Sequence, residues 1–403
     1  MAKNKWIKSA GLGAAAIVSV AAVFWAAIGP DWRALLSDPP TNKDVLFWST
    51  SQRDAAFRML DEVPFVSSAR RIEAGGNVRA LPIGEPLDML DFDLDAYMEA
   101  GRVSSIVIVH DGKVRIERYN LGFGPGGRWT SFSVAKSFTS TLVGAAIKDG
   151  YIESIDDPVS KYVEGLRGSA YDEVTVEQLL TMTSGVKWNE DYEDPASDVA
   201  LFGQQAPEDG ESSIVSYMKK LPRAHPAGEV WNYSTGETNL IGALLIEATG
   251  KPLSDYLEEK IWRPFGMEAD ATWLLAPDGD EISGCCIQAA TRDFARMGLL
   301  ALDRGVIDGQ PVTPDGWFAK ASTKQAETGE PAAGYGYQWW TLDDGAFQAR
   351  GIFGQGIFVD PARKLVIASN GNWTTALGRA GGERDARTDF YAAVRAAIDA
   401  EGR

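Results

Sequence analysis

One short stretch restricts the fold of this chain more than any other. The runs Ser104-Ser105-Ile106-Val107-Ile108-Val109-His110 and Lys113-Val114-Arg115-Ile116-Glu117-Arg118-Tyr119 flank Asp111-Gly112. Two β-forming runs around Asp-Gly predict a hairpin with a two-residue turn, because Asp and Gly tolerate the positive φ that its twist demands. A hairpin cannot bury its apolar faces alone, so further strands must join it.

Those strands are far away in sequence. Strand patterns cover 335–342, 346–353, 356–360 and 365–370, and Asp360-Pro361-Ala362-Arg363 turns the last hairpin. Helical periodicity fills the middle of the chain, over 176–183, 212–221, 236–249, 253–262 and 291–304. A short helix over 92–100 precedes the hairpin, and an amphipathic helix over 388–400 follows the last strand. This order predicts an α+β fold, an α/β sandwich whose antiparallel sheet is built from both ends of the domain with a helical lobe inserted.

The first residues read differently. Lys3, Lys5 and Lys8 precede an uncharged run from Ser9 to Pro30, and roughly 20 apolar residues suffice to cross a bilayer. Residues 1–30 are therefore expected to be a membrane anchor or a cleaved signal, with the body exported to the periplasmic side. Residues 31–89 read as a tether and pre-domain segment. The net charge of −17 excludes a nucleic-acid partner and disfavours polyanionic substrates. The only cysteines, Cys285 and Cys286, are adjacent and are expected as packed thiols, leaving the body without disulfides.

Chemistry concentrates in three places. Ser-x-x-Lys occurs at Ser133–Lys136, Ser184–Lys187 and Ser216–Lys219, so the motif alone means little. Only Ser133 opens a helix whose following residues (Val134, Ala135, Phe138, Leu142, Val143) are apolar, which buries Lys136 with them. Burial lowers a lysine's pKa, and three-residue spacing sets its amine beside the hydroxyl. A lysine that merely snorkels out of a structural helix is the plain alternative. The second place is Trp231-Asn232-Tyr233-Ser234-Thr235, where a tyrosine just ahead of a helix could relay a proton. The third is Ala349-Arg350-Gly351-Ile352-Phe353-Gly354-Gln355, a glycine-interrupted strand able to aim a backbone N–H at an oxyanion. The run Gly122 to Gly127 matches a dinucleotide fingerprint, but Pro125 spoils the phosphate-binding turn. A serine–histidine pair would have to use His110 or, better, His225.

In this order the three motifs resemble the serine β-lactamase and penicillin-binding-protein superfamily, and within it the class C-related esterase branch that includes 6-aminohexanoate-dimer hydrolases. The resemblance spans about residue 90 to 403. It implies a β-lactamase/transpeptidase-like fold, with Ser133 as nucleophile, Lys136 as its proton acceptor and Tyr233 as the second-motif tyrosine. It also implies an oxyanion hole from the backbone N–H groups of Ser133 and Ile352. Substrate contacts are expected at Tyr192, Thr235, Gly351 and Gln355, with no metal or cofactor. Two departures narrow the activity: the second motif ends in Thr235 where lactamases carry asparagine, and Ala349-Arg350-Gly351 replaces Lys-Thr-Gly. A serine hydrolase of small esters or linear amides is therefore expected. The alternatives are a D-amino-acid peptidase or weak β-lactamase, and a non-catalytic membrane-tethered ligand-binding protein.

Overall fold

The structure, a computed structural model, describes Ser19 and residues 23–402 apart from 65, 67 and 209. Most of the 1–30 segment expected to meet the membrane lies outside the described residues. Among those described, no helix is long and apolar enough to cross a membrane.

The hairpin forms as expected. Strands β1 (Val103–His110) and β2 (Lys113–Tyr119) pair antiparallel. Asp111 and Gly112 take φ of 47° and 75°, which is the primed turn that Asp-Gly favours. The partner strands come from the other end of the chain: β3 (Ala326–Glu327), β4 (Ala333–Tyr335), β5 (Trp340–Leu342), β6 (Phe347–Arg350), β7 (Gly356–Asp360) and β8 (Leu365–Gly371). Together they make an eight-stranded sheet in the order β2-β1-β8-β7-β6-β5-β4-β3, with Val107 opposite Ala368 across the closing pair. The 335–342 run expected as one strand is broken in two. Gln338 takes a φ of 61°, and β4 and β5 fold back on each other with Ala333 opposite Leu342. A left-handed residue cannot continue a strand.

Strand β1 is apolar on both faces because both are covered. Val107 and Val109 pack toward the helical lobe, whereas Ile106 and Ile108 pack under α1 (Leu94–Ala100) and α5 (Glu383–Glu401), against Tyr97, Phe390 and Val394. Between these two helices in sequence lie α2 (Ala135–Asp149), α3 (Thr235–Thr249) and α4 (Thr291–Leu302). Helix α4 contributes Phe294, Ala295 and Met297 to the core on the lobe side. The result is an α/β/α sandwich with the lobe at one side of the sheet.

A second, four-stranded sheet joins Ala69–Ile72, Ala271–Leu274, Ile287–Ala289 and Trp129–Thr130. It ties the segment before the hairpin to the chain just ahead of Ser133. The helix Thr50–Ala56 adds a second tie. Arg53, buried at 4% exposure, donates to the carbonyls of Trp48 and Trp373 and to Asn372 Oδ1 at 2.6, 2.9 and 2.8 Å. Its guanidinium lies 4.3 Å from the Phe353 ring centroid, which fixes the loop after β6.

Candidate active site

Ser133 sits in a tight turn (Phe132–Val134) that leads into α2. Two devices hold this turn. Ser131 N donates to Ile287 O at 2.8 Å and Ile287 N donates to Ser131 Oγ at 2.9 Å, extending the small sheet to the turn's first residue. Phe132 takes a φ of 42°, uncommon for an aromatic residue. Its ring is kept there by Phe57 and Phe353, at centroid distances of 5.0 and 5.5 Å. Strain at this position exposes the next side chain, and Ser133 is half-buried while its neighbours are buried.

Lys136 is 1% exposed, because every residue from Ala135 to Ala146 of α2 is buried. Its Nζ lies 3.1 Å from Ser133 Oγ, 3.0 Å from Thr235 Oγ1 and 2.7 Å from the carbonyl of Gly284. Burial pulls the amine's pKa down from its ordinary value to about 8, and Glu190 pulls in the opposite direction. The snorkelling alternative fails on this geometry, since the amine ends inside the protein. The other two motif copies do not build a pair of this kind. Ser184 donates to Glu237 while Lys187 is exposed, and Lys219 pairs with Glu211 and Glu208 at 2.6 and 3.4 Å.

Tyr233 ends the loop before α3. Its ring lies 5.2 Å from Lys136 Nζ and stacks on Trp340 at 5.6 Å. Burial first, and Glu190 second, push the pKa of its hydroxyl well above the ordinary value, with the nearby Ser133 hydroxyl pulling the other way. Tyr192 is half-buried, lines the cavity beside Ser133 and donates to Glu190 at 2.7 Å. The loop after β6 supplies Ile352, which lines the same cavity as Ser133, Tyr192 and Thr235. The amides on either side of it are committed, Gly351 N to Gln355 O at 2.9 Å and Phe353 N to Ala376 O at 2.8 Å. Gly351 is required here by close approach: a Cβ would stand 2.5 Å from Ser131 O.

Gln355, expected to face substrate, is instead 0% exposed. It braces the loop, donating to the carbonyls of Ile352 and Gly371 at 2.9 and 3.0 Å and accepting from Trp129 Nε1 and Gly371 N at 3.1 and 2.9 Å. With all its hydrogen bonds spent it has none left for a ligand. Thr235 lines the cavity, but its hydroxyl is shared between Lys136 and Glu190. Arg350 does not replace the missing lysine of the third motif. Its guanidinium lies 4.5 Å over the Trp340 ring and binds Glu330 at 3.1 Å. His225 is exposed and His110 binds Arg115 at 3.1 Å, so neither histidine joins the serine.

The cavity measures about 1100 Å³. Leu46, Leu60 and Val66 of the pre-hairpin segment, Phe202, Ile214 and Ile246 of the lobe, and Leu274 and Ile282 give it an apolar lining. Cys285 and Cys286 also line it. Their two sulfur atoms are in direct contact, as adjacent cysteines packed into one wall. The left-handed backbone at Cys286, φ 79°, turns the second side chain back toward the first.

A sheet assembled from both chain ends, a helical lobe beside it and a buried lysine against a half-buried serine are the marks of the β-lactamase/transpeptidase-like superfamily. The chain belongs to the Beta-lactamase family, whose profile matches residues 93–391, and is a hydrolase of the serine β-lactamase type. It is 30% identical over 297 residues to the 6-aminohexanoate-dimer hydrolase of Paenarthrobacter ureafaciens, covering 70% of this chain and 75% of that protein. A Bacillus anthracis protein assigned as a 6-aminohexanoate-dimer hydrolase superposes with a TM-score of 0.74 at 22% identity, covering 91% of this chain and 96% of that one. EstCE1, a hydrolase with promiscuous acyltransferase activity, superposes with a TM-score of 0.59 at 16% identity, covering 75% and 96%. The family relation to a 6-aminohexanoate-dimer hydrolase is the one the motifs implied, and the fold is shared with EstCE1.

Proposed function

We propose that this protein cleaves small esters or linear amides through an acyl-enzyme on Ser133, with Lys136 and Tyr233 moving the proton. The observation that carries this reading is the amine of Lys136, 3.1 Å from Ser133 Oγ, with a pKa lowered by burial to about 8. At that value a substantial neutral fraction exists near neutral pH, so the amine can act as a base.

Ser133 Oγ adds to the substrate carbonyl carbon while its proton passes to Lys136 Nζ. The carbonyl oxygen becomes an oxyanion, for which the N–H groups of Ser133 and Ile352 are the donors. Collapse expels the alcohol or amine, which takes the proton from Lys136 by way of the Tyr233 hydroxyl. Water repeats the sequence on the acyl ester, releasing the acid and restoring Ser133. The apolar walls of the cavity favour an unbranched aliphatic acyl or leaving group. With Arg350 committed to Glu330 and Trp340, no third-motif cation holds the carboxylate of a β-lactam, and nitrocefin should be a poor substrate beside a short p-nitrophenyl ester.

Replacing Ser133 by alanine should abolish ester turnover and labelling by a fluorophosphonate while leaving the circular dichroism unchanged. Undiminished turnover would remove Ser133 from the mechanism, and failure of the native protein to label would favour a non-catalytic ligand-binding protein. Export with residues 1–30 as anchor or signal completes the proposal; mass spectrometry of membrane-fraction protein distinguishes a retained from a cleaved segment.

A further inference from the structure

Glu190 is placed as no sequence motif required. It lies on the aromatic and acidic loop after Trp188 and receives four hydrogen bonds. Trp188 Nε1 and Thr235 N reach its Oε2, the latter at 2.9 Å, while Tyr192 OH, at 2.7 Å, and Thr235 Oγ1 reach its Oε1. An ionised carboxylate only accepts. The Thr235 hydroxyl must therefore spend its proton on Glu190, and it can only accept from Lys136 Nζ, 3.0 Å away. The carbonyl of Gly284, at 2.7 Å, can also only accept. A neutral amine has two N–H bonds and one lone pair. With both N–H bonds drawn to Thr235 and Gly284, the lone pair is left facing the third neighbour, Ser133 Oγ at 3.1 Å.

We propose that Glu190 is a positioning residue for the acyl-transfer reaction: acting through Thr235, it fixes the orientation of the Lys136 amine so that its lone pair meets the Ser133 hydroxyl. The inference rests on Ser133 and Lys136 having the roles given above. It also accounts for a threonine at the end of the second motif, because a residue there must accept from the lysine and donate to a carboxylate at once. A hydroxyl does both with one atom.

The charge has a second effect. The groups facing the Lys136 amine are Glu190 from the loop, Ser133 and the Tyr233 ring, with Tyr192 behind Glu190 and Arg350 acting on Tyr233. Glu190 is the anion among them, and it holds the amine's pKa up against burial. Removing its charge lowers that pKa and weakens the base.

The test compares Glu190→Gln, Thr235→Val and Thr235→Ser with the native enzyme, following hydrolysis of a short p-nitrophenyl ester against pH and counting competent serines with a fluorophosphonate. The expected result for Glu190→Gln is turnover per labelled serine reduced about tenfold or more, with the acid limb of kcat/KM moved at least about half a pH unit downward. Thr235→Ser should retain a much larger share of activity than Thr235→Val. A purely structural Glu190 would lower the number of labelled serines and the Tm but leave the limb in place, and that outcome overturns the proposal. Equal activity of the two Thr235 variants also overturns it, and this arm decides the matter if Glu190→Gln does not fold. Ser133→Ala separates the two levels: turnover in that variant would refute the underlying mechanism whatever Glu190 does.

Discussion

Gly351→Ala is the sharpest probe of how the two halves of the site are held together. The added Cβ would stand 2.5 Å from Ser131 O and 2.9 Å from Gln355 Cβ, whereas ordinary contact begins at 3.4 Å. Loop and turn must therefore separate by about 0.9 Å. Neither yields easily. Ser131 is pinned to Ile287 at 2.8 and 2.9 Å, and Gly351 N is bonded to Gln355 O at 2.9 Å. The backbone φ of Gly351, −118°, is one that alanine adopts freely, so the effect is steric rather than torsional. Displacing the proposed oxyanion donor Ile352 by about 1 Å should cost on the order of 100-fold in kcat, and overpacking costs roughly 1–3 kcal/mol of stability. Steady-state ester hydrolysis, normalised to serines labelled by a fluorophosphonate, should show that fall in kcat with labelling still possible. A variant with kcat within about twofold of native and an unchanged Tm would refute the close approach.

Three further outcomes are expected. The rate constant kcat/KM should rise with pH through about 8 as Lys136 loses its proton, and a flat profile across that range would exclude the lysine as base. Glu237, 2% exposed, has its pKa raised by burial from 4.5 to about 8. Below 4.5 both folded and unfolded chains hold this proton; between 4.5 and 8 only the folded chain does. Stability from this group therefore falls across that window by up to about 1.4 kcal/mol per pH unit, and urea unfolding of Glu237→Gln should lack that slope. Arg53→Ala should cost about 2–4 kcal/mol by orphaning buried acceptors and should lower kcat through the Phe353 loop; a loss of stability with kcat intact would separate the buttress from the site.

What the sequence made legible was local. The hairpin, helix α2 with its serine and lysine, and the tyrosine ahead of α3 each carry their signal within a few residues. The break at Gln338 was hidden because left-handed backbone at a non-glycine residue leaves no compositional mark. The second sheet was hidden because its strands are two to four residues long, too short for alternation to register, and its partners lie far apart in the chain. Gln355 was misplaced because a glutamine beside a glycine-rich turn reads the same whether it faces substrate or braces backbone. Glu190 could not be singled out from its acidic neighbours, since its role depends on Thr235, which joins it only in three dimensions.

The pairing of β1 with β8, Ser105 opposite Asn370, sets the order of events during synthesis. The helix carrying Ser133 and Lys136 leaves the ribosome long before the loop carrying Ile352, and the sheet that aligns them closes only when residues 365–371 arrive. Long-range closure of this kind is slow relative to helix formation. A nascent chain therefore holds the proposed nucleophile and base without the proposed oxyanion hole. Activity should appear in a single late step, and truncation ahead of residue 365 should give an inactive chain even where the helical lobe is compact.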